Sequence, residues 1–266
     1  MKNVNPIGIF DSGLGGLTVA RQIQKVLPNE SIIYYGDTAR VPYGSKSKDT
    51  IIKFTREAVK FLQSHNAKCI VVACNTASAL ALPIVKNEFD TPMIGVINPG
   101  AKAAAEKTSS GKVGVIATTA TINSDAYTNA IREINNKITV YSQPCPLLVP
   151  LVEEGWGEKP AAKLIIQEYL TPLKTAKIDT LVLGCTHYPL LTKQIQDFVS
   201  DKVALVDSAT TCANDLKILL ENEKLISDGN TAESTFFVTD MAAKFSELGA
   251  KFLGKPLNAI KVVGNE

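Results

Sequence analysis

Short apolar runs alternate with longer amphipathic segments along almost the whole chain. The longer segments, such as residues 50–64 and 161–174, place apolar residues at helical spacing. Short apolar runs are typical of buried parallel strands, and their alternation with helices favours an α/β architecture with right-handed crossovers. The sequence therefore predicts open α/β units with mainly parallel sheets. The predicted strands are residues 7–10, 31–35, 69–73, 93–97, 113–116, 139–141, 180–183, 204–206 and 236–239.

Two parts of the chain look like copies of each other. Residues 70–76 and residues 181–187 each consist of an apolar run, a cysteine and two polar residues. Residues 7–13 and residues 113–119, which precede them at similar distances, also match as a strand, a polar turn and a helix start. This internal repeat predicts two pseudo-symmetric α/β units, each with one cysteine at the end of a strand.

The repeat also predicts how the chain divides into domains. Proline and glycine interrupt the pattern just after residue 97, which favours a boundary there. We expect residues 1–97 together with residues 208–266 to form a first domain that carries Cys74. Residues 98–207 would form a second domain that carries Cys185. Because ligands bind at the carboxyl ends of the strands in open α/β sheets, we expect both thiols to lie at ligand-binding positions.

Part of the first domain is predicted to return from the end of the chain. The segment from Ser208 onward is mostly helical in pattern, apart from the strand predicted at residues 236–239. We expect this segment to pack back on the first domain, which begins the chain and can accept it.

Composition and charge exclude several classes of protein. The 266 residues are 45% hydrophobic and 20% charged, which is ordinary for a globular protein. The formal net charge is only +2, and basic runs with interleaved aromatic residues are absent, so nucleic-acid binding is not expected. The sequence contains neither an apolar signal segment at its start nor an apolar run long enough to span a membrane. These features predict a soluble cytoplasmic protein without membrane contact, and its size is typical of enzymes that form homodimers.

The chain has five cysteines, at positions 69, 74, 145, 185 and 212, and two histidines, at positions 65 and 187. The cysteines are scattered and lack CxxC spacing, and the chain has only two histidines. Neither a disulfide framework nor a metal site is therefore predicted. A buried cysteine is usually a structural residue. For Cys74 and Cys185 the matching positions at strand ends favour catalysis instead. Each precedes a predicted helix, whose N-terminal dipole is expected to lower the pKa of the thiol.

A glycine-rich loop at residues 11–16 follows the first predicted strand. It departs from the dinucleotide-binding pattern because Thr18 replaces the third glycine and because Asp11 would face the phosphates. We interpret it as a loop whose N–H groups receive a small anion, such as a substrate carboxylate, with Asp11 toward the reacting centre. A second loop, with Tyr43 and Gly44, is compatible either with a simple turn or with ligand contact.

Together these motifs resemble the bacterial glutamate racemases. The resemblance runs almost end to end and implies a cofactor-independent isomerase with two similar α/β domains that enclose glutamate. It also implies a role in supplying D-glutamate for peptidoglycan and cell-wall synthesis. The segments that carry it are residues 10–16, 36–37, 41–44, 73–76, 95–101 and 184–187.

The resemblance assigns roles to individual residues. Cys74 would remove the α-proton of D-glutamate, and Cys185 that of L-glutamate. Their assisting groups would be Asp11, Glu153 and His187. Glu154 is an alternative to Glu153, which we prefer because it directly follows the apolar run at residues 150–152. The implied substrate contacts are Asp11, Ser12, Tyr43, Gly44, Asn75, Thr76, Thr186 and His187.

Three other functions remain open at this point. An aspartate racemase shares the paired-cysteine design, and relative rates on glutamate and aspartate separate the two. A hydrolase with Cys185 and His187 is a second alternative, which a trapped acyl-enzyme would support, but it leaves Cys74 and the repeat unexplained. A non-enzymatic amino-acid-binding protein is the third, and it would bind its ligand without exchanging the α-proton.

Overall fold

The computed structural model describes residues 4–227 and 233–264. Within these ranges ten β-strands form two sheets, and every strand pairing is parallel. The strands are β1 (Ile7–Asp11), β2 (Ile32–Gly36), β3 (Cys69–Val72), β4 (Met93–Gly95), β5 (Lys112–Ala117), β6 (Thr139–Pro144), β7 (Thr180–Gly184), β8 (Ala204–Asp207), β9 (Thr235–Val238) and β10 (Ile260–Val262).

Helices connect and cover these strands. In the described parts of the chain they are α1 (Leu17–Val26), α2 (Lys48–Ser64), α3 (Asn75–Leu80), α4 (Leu82–Val85), α5 (Ile97–Lys107), α6 (Thr119–Asn123), α7 (Ala126–Ile134), α8 (Leu148–Glu153), α9 (Pro160–Thr175), α10 (Thr192–Val199), α11 (Ser208–Asn222) and α12 (Ala242–Leu253). Three short 3₁₀ helices cover Thr38–Arg40, Tyr43–Ser45 and Tyr188–Leu191. None of the described helices is both long and apolar enough to cross a membrane.

The two sheets share one strand order, which confirms the predicted α/β fold class with parallel sheets. The first runs β10-β9-β2-β1-β3-β4 and the second runs β6-β5-β7-β8. In the first sheet β1 lies between β2 and β3, and in the second sheet the equivalent strand β5 lies between β6 and β7. The cysteine-bearing strands β3 and β7 therefore occupy equivalent central positions, and both are buried along their length.

The structure differs from the sequence prediction mainly near the chain end. Strand β10 was not predicted, because it is a three-residue edge strand, half-buried or exposed, with a lysine at its centre. The apolar run at residues 93–97 was predicted as one strand. It ends as a strand at Gly95, and Ile97 already begins α5. The strand is half-buried and Ile97 is buried, and apolar residues continue across both, so hydrophobicity alone does not mark the boundary between them.

The two sheets divide the chain much as the predicted domains do, but the hydrophobic core does not. Strands β5 to β8 lie within residues 98–207, and all other strands lie outside that range. Buried side chains of both sheets, among them Ile9 and Leu183, nevertheless belong to one continuous cluster. Helix α11 packs against α1 and also against α5. The division into residues 1–97 plus 208–266 and residues 98–207 therefore stays a prediction.

Candidate active site

A cavity of about 740 Å³ opens where the carboxyl ends of the two sheets face each other. Both units contribute to its wall, in keeping with the position of binding sites in open α/β sheets. Asp11 lies behind this wall and is fully buried at the end of β1. The other predicted site residues line the cavity: Ser12, Tyr43, Gly44, Cys74, Asn75, Thr76, Glu153, Cys185, Thr186 and His187.

Cys74 follows β3 and caps the N-terminus of α3. Its side chain is almost fully buried, close to Asp11 and Ser12. Burial, reinforced by the carboxyl of Asp11, raises the pKa of Cys74 to about 12. The expectation that a helix dipole lowers the pKa of this thiol is therefore wrong. Helix α3 has only six residues, and its favourable contribution is smaller than the penalty for burying a thiolate beside a carboxylate.

Asp11 is a carboxyl group in unusual surroundings. Its Oδ2 accepts a hydrogen bond from the Gly13 amide at 3.0 Å, which pins the loop to the end of β1. Its Oδ1 is buried without a hydrogen-bond partner among the residues that the structure describes. Burial raises the pKa of Asp11 and outweighs the opposing effects of His187 and of backbone N–H groups. The carboxyl of Asp11, beside Cys74, is therefore easier to protonate than a free aspartic acid.

Cys185 lies in a different local structure from Cys74. The predicted helix does not begin directly after it, since residues 185–187 form a turn and a 3₁₀ helix starts only at Tyr188. This turn brings His187 Nδ1 to 3.9 Å from Cys185 Sγ. The other ring nitrogen, Nε2, lies 2.9 Å from Oε1 of Glu153. The imidazole is thus held between a thiol and a carboxylate.

The electrostatics of this trio favour a charged imidazole. Burial lowers the pKa of His187, but its hydrogen bonds to Cys185 and Glu153 overcome that effect and raise the pKa to about 10. Conversely, burial raises the pKa of Glu153, but the interaction with His187 lowers it overall. At neutral pH an imidazolium therefore lies beside Cys185, whereas a carboxyl lies beside Cys74. The two thiols have unlike partners although their strands are equivalent.

The neighbouring acids Glu153 and Glu154 point to different surroundings. Glu153 is the last residue of α8 and contacts His187 in the cavity wall. The Glu154 side chain is 65% exposed and forms an ion pair with Lys244 at 3.0 Å. Of the two candidates, the structure brings Glu153 to the site.

This difference supports a direct test by NMR titration. We expect Glu153→Gln to lower the pKa of His187 by more than about one pH unit, because a charge-assisted hydrogen bond to the imidazolium is lost. The matched control, Glu154→Gln, leaves the pKa unchanged. The chain has only two histidines, so a His65→Gln variant assigns the imidazole signals. An unchanged His187 pKa in Glu153→Gln contradicts the described pairing.

The same pair links stability to pH. Because the pKa of His187 is raised to about 10 in the folded protein, its protonation stabilises the fold fully below its unfolded pKa, near 6.5. This contribution is lost as the pH rises toward 10.

Asn75 and Thr76 begin α3 and are buried at the cavity wall. The Asn75 side chain accepts a hydrogen bond from Tyr127, as described further below. The Thr76 hydroxyl lies 3.0 Å from that of Thr118 and 3.2 Å from that of Thr121, so three hydroxyls form one cluster across the two units. Sequence reasoning missed Thr118 and Thr121. The repeat carried a signal for Thr118, which aligns with Ser12 when residues 7–13 are matched to residues 113–119.

The Tyr43–Gly44 loop is held from behind by a polar network that sequence reasoning also missed. The Tyr43 hydroxyl donates to Asp37, whose carboxylate also receives the Arg40 guanidinium at 2.7 and 2.9 Å. Asp37 is fully buried, so these contacts compensate its charge. On the cavity side, a Cβ on Gly44 would lie 2.7 Å from Cβ of Thr118. The loop thus packs closely against the second unit.

The glycine-rich loop touches the second unit in the same way. A Cβ on Gly15 would lie 2.2 Å from Oγ1 of Thr186 and 2.6 Å from Nδ1 of His187. The Thr18 hydroxyl contacts the carbonyl of Thr186 at 3.3 Å. The loop therefore supports the position of the imidazole in addition to supplying Ser12 and Gly13 to the cavity wall.

This arrangement can move protons at a carbon held between the units. Two thiols from equivalent strand ends share one cavity, and each has its own neighbouring acid–base group. No group of three or more potential ligands among the described His, Cys, Asp and Glu residues is arranged to hold a metal ion.

Comparisons with known proteins agree with this geometry. The family model described as Asp/Glu/hydantoin racemase matches residues 16–216. A glutamate racemase of Chlorobaculum parvum is 47% identical over 266 residues, which cover 99% of this chain and 98% of that protein. The crystal structure of a glutamate racemase from Bacillus anthracis matches with a TM-score of 0.95 at 39% identity, over 98% of both chains. A glutamate racemase from Francisella tularensis in complex with D-glutamate matches with a TM-score of 0.93 at 41% identity, again over 98% of both chains.

Proposed function

The chain belongs to the Asp/Glu/hydantoin racemase family and, within it, to the glutamate racemases, and from this we propose that it interconverts L- and D-glutamate with Cys74 and Cys185 as its two acid–base groups. The resemblance predicted from the sequence motifs is thereby confirmed, and the protein is an amino-acid racemase, an isomerase. The observation that carries the two-cysteine proposal is that both thiols line one cavity from equivalent strand ends.

Glutamate is the substrate that the relatives favour. Full-length relatives at 47–48% identity are glutamate racemases, and the Francisella protein binds D-glutamate. This supports glutamate over aspartate. The hydrolase alternative draws support from the Cys185–His187–Glu153 contacts. It leaves Cys74 without a role, and the family assignment speaks against it.

In the proposed reaction, a thiolate on one side of the α-carbon removes its proton while a thiol on the other side returns one. With L-glutamate, Cys185 takes the proton and Cys74 donates one, and with D-glutamate the roles are exchanged. The breaking C–H bond leaves its electron pair on carbon, and this pair then forms the new C–H bond on the opposite face. The His187 imidazole, whose Nδ1 lies 3.9 Å from Sγ of Cys185, assists the proton transfers of this thiol. The buried carboxyl of Asp11 adjusts the protonation of Cys74.

Proton transfer alone does not account for the catalysis of such a reaction. A well-placed acid or base contributes about 10²–10⁴-fold, so the developing negative charge must also be stabilised. The hydroxyl of Thr76 and the amides of the glycine-rich loop are the groups that we propose for this task. They are buried at the cavity wall, where water screens them little.

We also propose that the reaction needs no cofactor and that the D-glutamate serves peptidoglycan synthesis in the cytoplasm of a bacterium. The names of the relatives support this proposal only through their shared activity. A homodimer is proposed on size alone.

The substrate proposal is tested by measuring conversion of each enantiomer of glutamate and aspartate on a chiral column. We expect both glutamate enantiomers to be converted at comparable rates. Aspartate should be converted at least about tenfold more slowly, because its shorter side chain places the side-chain carboxylate at a different position in the cavity. Added pyridoxal phosphate should change neither rate. Faster conversion of aspartate, or a requirement for pyridoxal phosphate, would refute the proposal.

A further inference from the structure

Tyr127 is a buried tyrosine on α7 that reaches across the boundary between the two units. Its hydroxyl donates a hydrogen bond to Oδ1 of Asn75, at 2.7 Å, and Asn75 lies on α3 of the first unit. The ring is 2% exposed. Burial raises the pKa of Tyr127, so its hydroxyl keeps its proton and remains a donor throughout the working pH range.

Two glycines make room for this ring. A Cβ on Gly184, directly before Cys185, would lie 3.0 Å from Cε2 of Tyr127. A Cβ on Gly100 would lie 3.2 Å from Cε1 and 3.3 Å from the hydroxyl oxygen. The two sequence motifs that contain these glycines therefore shape a slot for Tyr127. A Cβ would also meet the backbone oxygen of Ile116, at 2.8 Å from Gly184, and Cβ of Ser208, at 3.2 Å from Gly100, so the Tyr127 ring is one of the neighbours that leave no space for a side chain.

The hydrogen bond from Tyr127 fixes the orientation of the Asn75 amide. Since Oδ1 is occupied by Tyr127, the amide nitrogen Nδ2 is the end that is left. Nδ2 is buried and has no hydrogen-bond partner in the described portion of the protein. A buried N–H group without a partner is unfavourable, and Asn75 lines the cavity, so a ligand oxygen is the partner that would satisfy it.

We propose that Tyr127 is a positioning residue that fixes the orientation of the Asn75 amide, so that Nδ2 donates to a carboxylate oxygen of the substrate. This inference rests on the proposed function, since it takes glutamate as the occupant of the cavity. Without the tyrosine hydroxyl, the amide is free to turn its oxygen toward the carboxylate, where the two oxygens repel each other. Tyr127 also ties substrate recognition to contact between the two units, because the donor and the amide lie on different ones.

The test is a double-mutant cycle with Tyr127→Phe and Asn75→Ala. We expect Tyr127→Phe to raise KM for both glutamate enantiomers by about tenfold while kcat changes much less, because the lost interaction binds substrate. In the Asn75→Ala background, Tyr127→Phe should have no further effect on KM. The phenylalanine ring keeps its place in the slot, and circular dichroism verifies that the fold is intact.

Two further variants show whether the effect of Tyr127→Phe comes from the lost orientation of Asn75 or from the loss of any buried tyrosine hydroxyl. Tyr188→Phe removes a tyrosine hydroxyl that bonds a backbone carbonyl, that of Cys145, and it should leave KM unchanged. Gly100→Ala crowds the Tyr127 ring and should reproduce the rise in KM by an independent route.

The outcomes are distinguishable from failure of the function itself. If the wild-type protein does not racemise glutamate, the proposed function fails. If the wild type is active and Tyr127→Phe leaves KM unchanged, the positioning role is wrong. An equal rise in KM in the Asn75→Ala background also contradicts it, because the effect would then not pass through Asn75.

Discussion

Cys74→Ser and Cys185→Ser are each expected to reduce racemisation of both glutamate enantiomers by about 10³-fold or more. A racemase must remove a proton on one face and return one on the other, so loss of either thiol stops both directions. Serine keeps the size of the side chain but is far less acidic than cysteine. Each variant retains one functional thiol and should still exchange the α-proton of a single enantiomer with solvent. That enantiomer is L-glutamate for Cys74→Ser and D-glutamate for Cys185→Ser.

The measurement follows the α-proton signal of each enantiomer by NMR in D₂O, alongside chiral analysis. Cys212→Ser is the matched control, since Cys212 is a fully buried thiol whose described contact is with the carbonyl of Gly95, away from the cavity. It should retain full activity. Substantial racemisation by either Cys74→Ser or Cys185→Ser would refute the two-thiol mechanism.

Gly15→Ala is expected to lower kcat by about 10²-fold, the second largest effect among these predictions. The added methyl group would lie 2.2 Å from Oγ1 of Thr186 and 2.6 Å from Nδ1 of His187, which is far inside contact distance. The imidazole must move, and it then loses its geometry toward Cys185 and Glu153. Because Cys185 acts as the base toward L-glutamate and as the acid toward D-glutamate, both directions of the reaction should slow.

Steady-state kinetics in both directions check this expectation, together with thermal unfolding. Gly157→Ala is the control, because the one described neighbour that its methyl group would meet is the flexible end of Leu191, at 3.0 Å. If Gly15→Ala is fully active and stable, the close approach of the glycine-rich loop to His187 does not matter for catalysis.

Much of the fold was predictable because buried parallel strands leave a clear mark on sequence. The runs that became β1, β3 and β7 are mostly apolar and fully buried, and the repeat pairs β3 with β7. Strand β10 left no such mark, since an edge strand with exposed residues needs no apolar pattern. Its position depends on pairing with β9, which is a long-range contact.

The sequence identified candidate residues for the site, but it did not predict their pKa values or their long-range contacts. Cys74 and Cys185 stand at equivalent strand ends, and the motifs around them are local. The pKa of Cys74 is raised by its burial and by the neighbouring carboxyl of Asp11, and the local sequence pattern indicates neither effect. The Tyr127–Asn75 hydrogen bond joins residues 52 positions apart, and no local pattern marks it.

The central claim is that two groups on opposite faces of the α-carbon handle the proton, and one measurement tests it most directly. L-Glutamate is incubated in D₂O with the wild-type enzyme, and both enantiomers are analysed by mass spectrometry at a few per cent conversion. We expect the D-glutamate formed to carry deuterium at Cα while the remaining L-glutamate retains protium. If the product retained protium, or if both pools gained deuterium equally, a single group would serve both faces and the two-thiol account would be wrong.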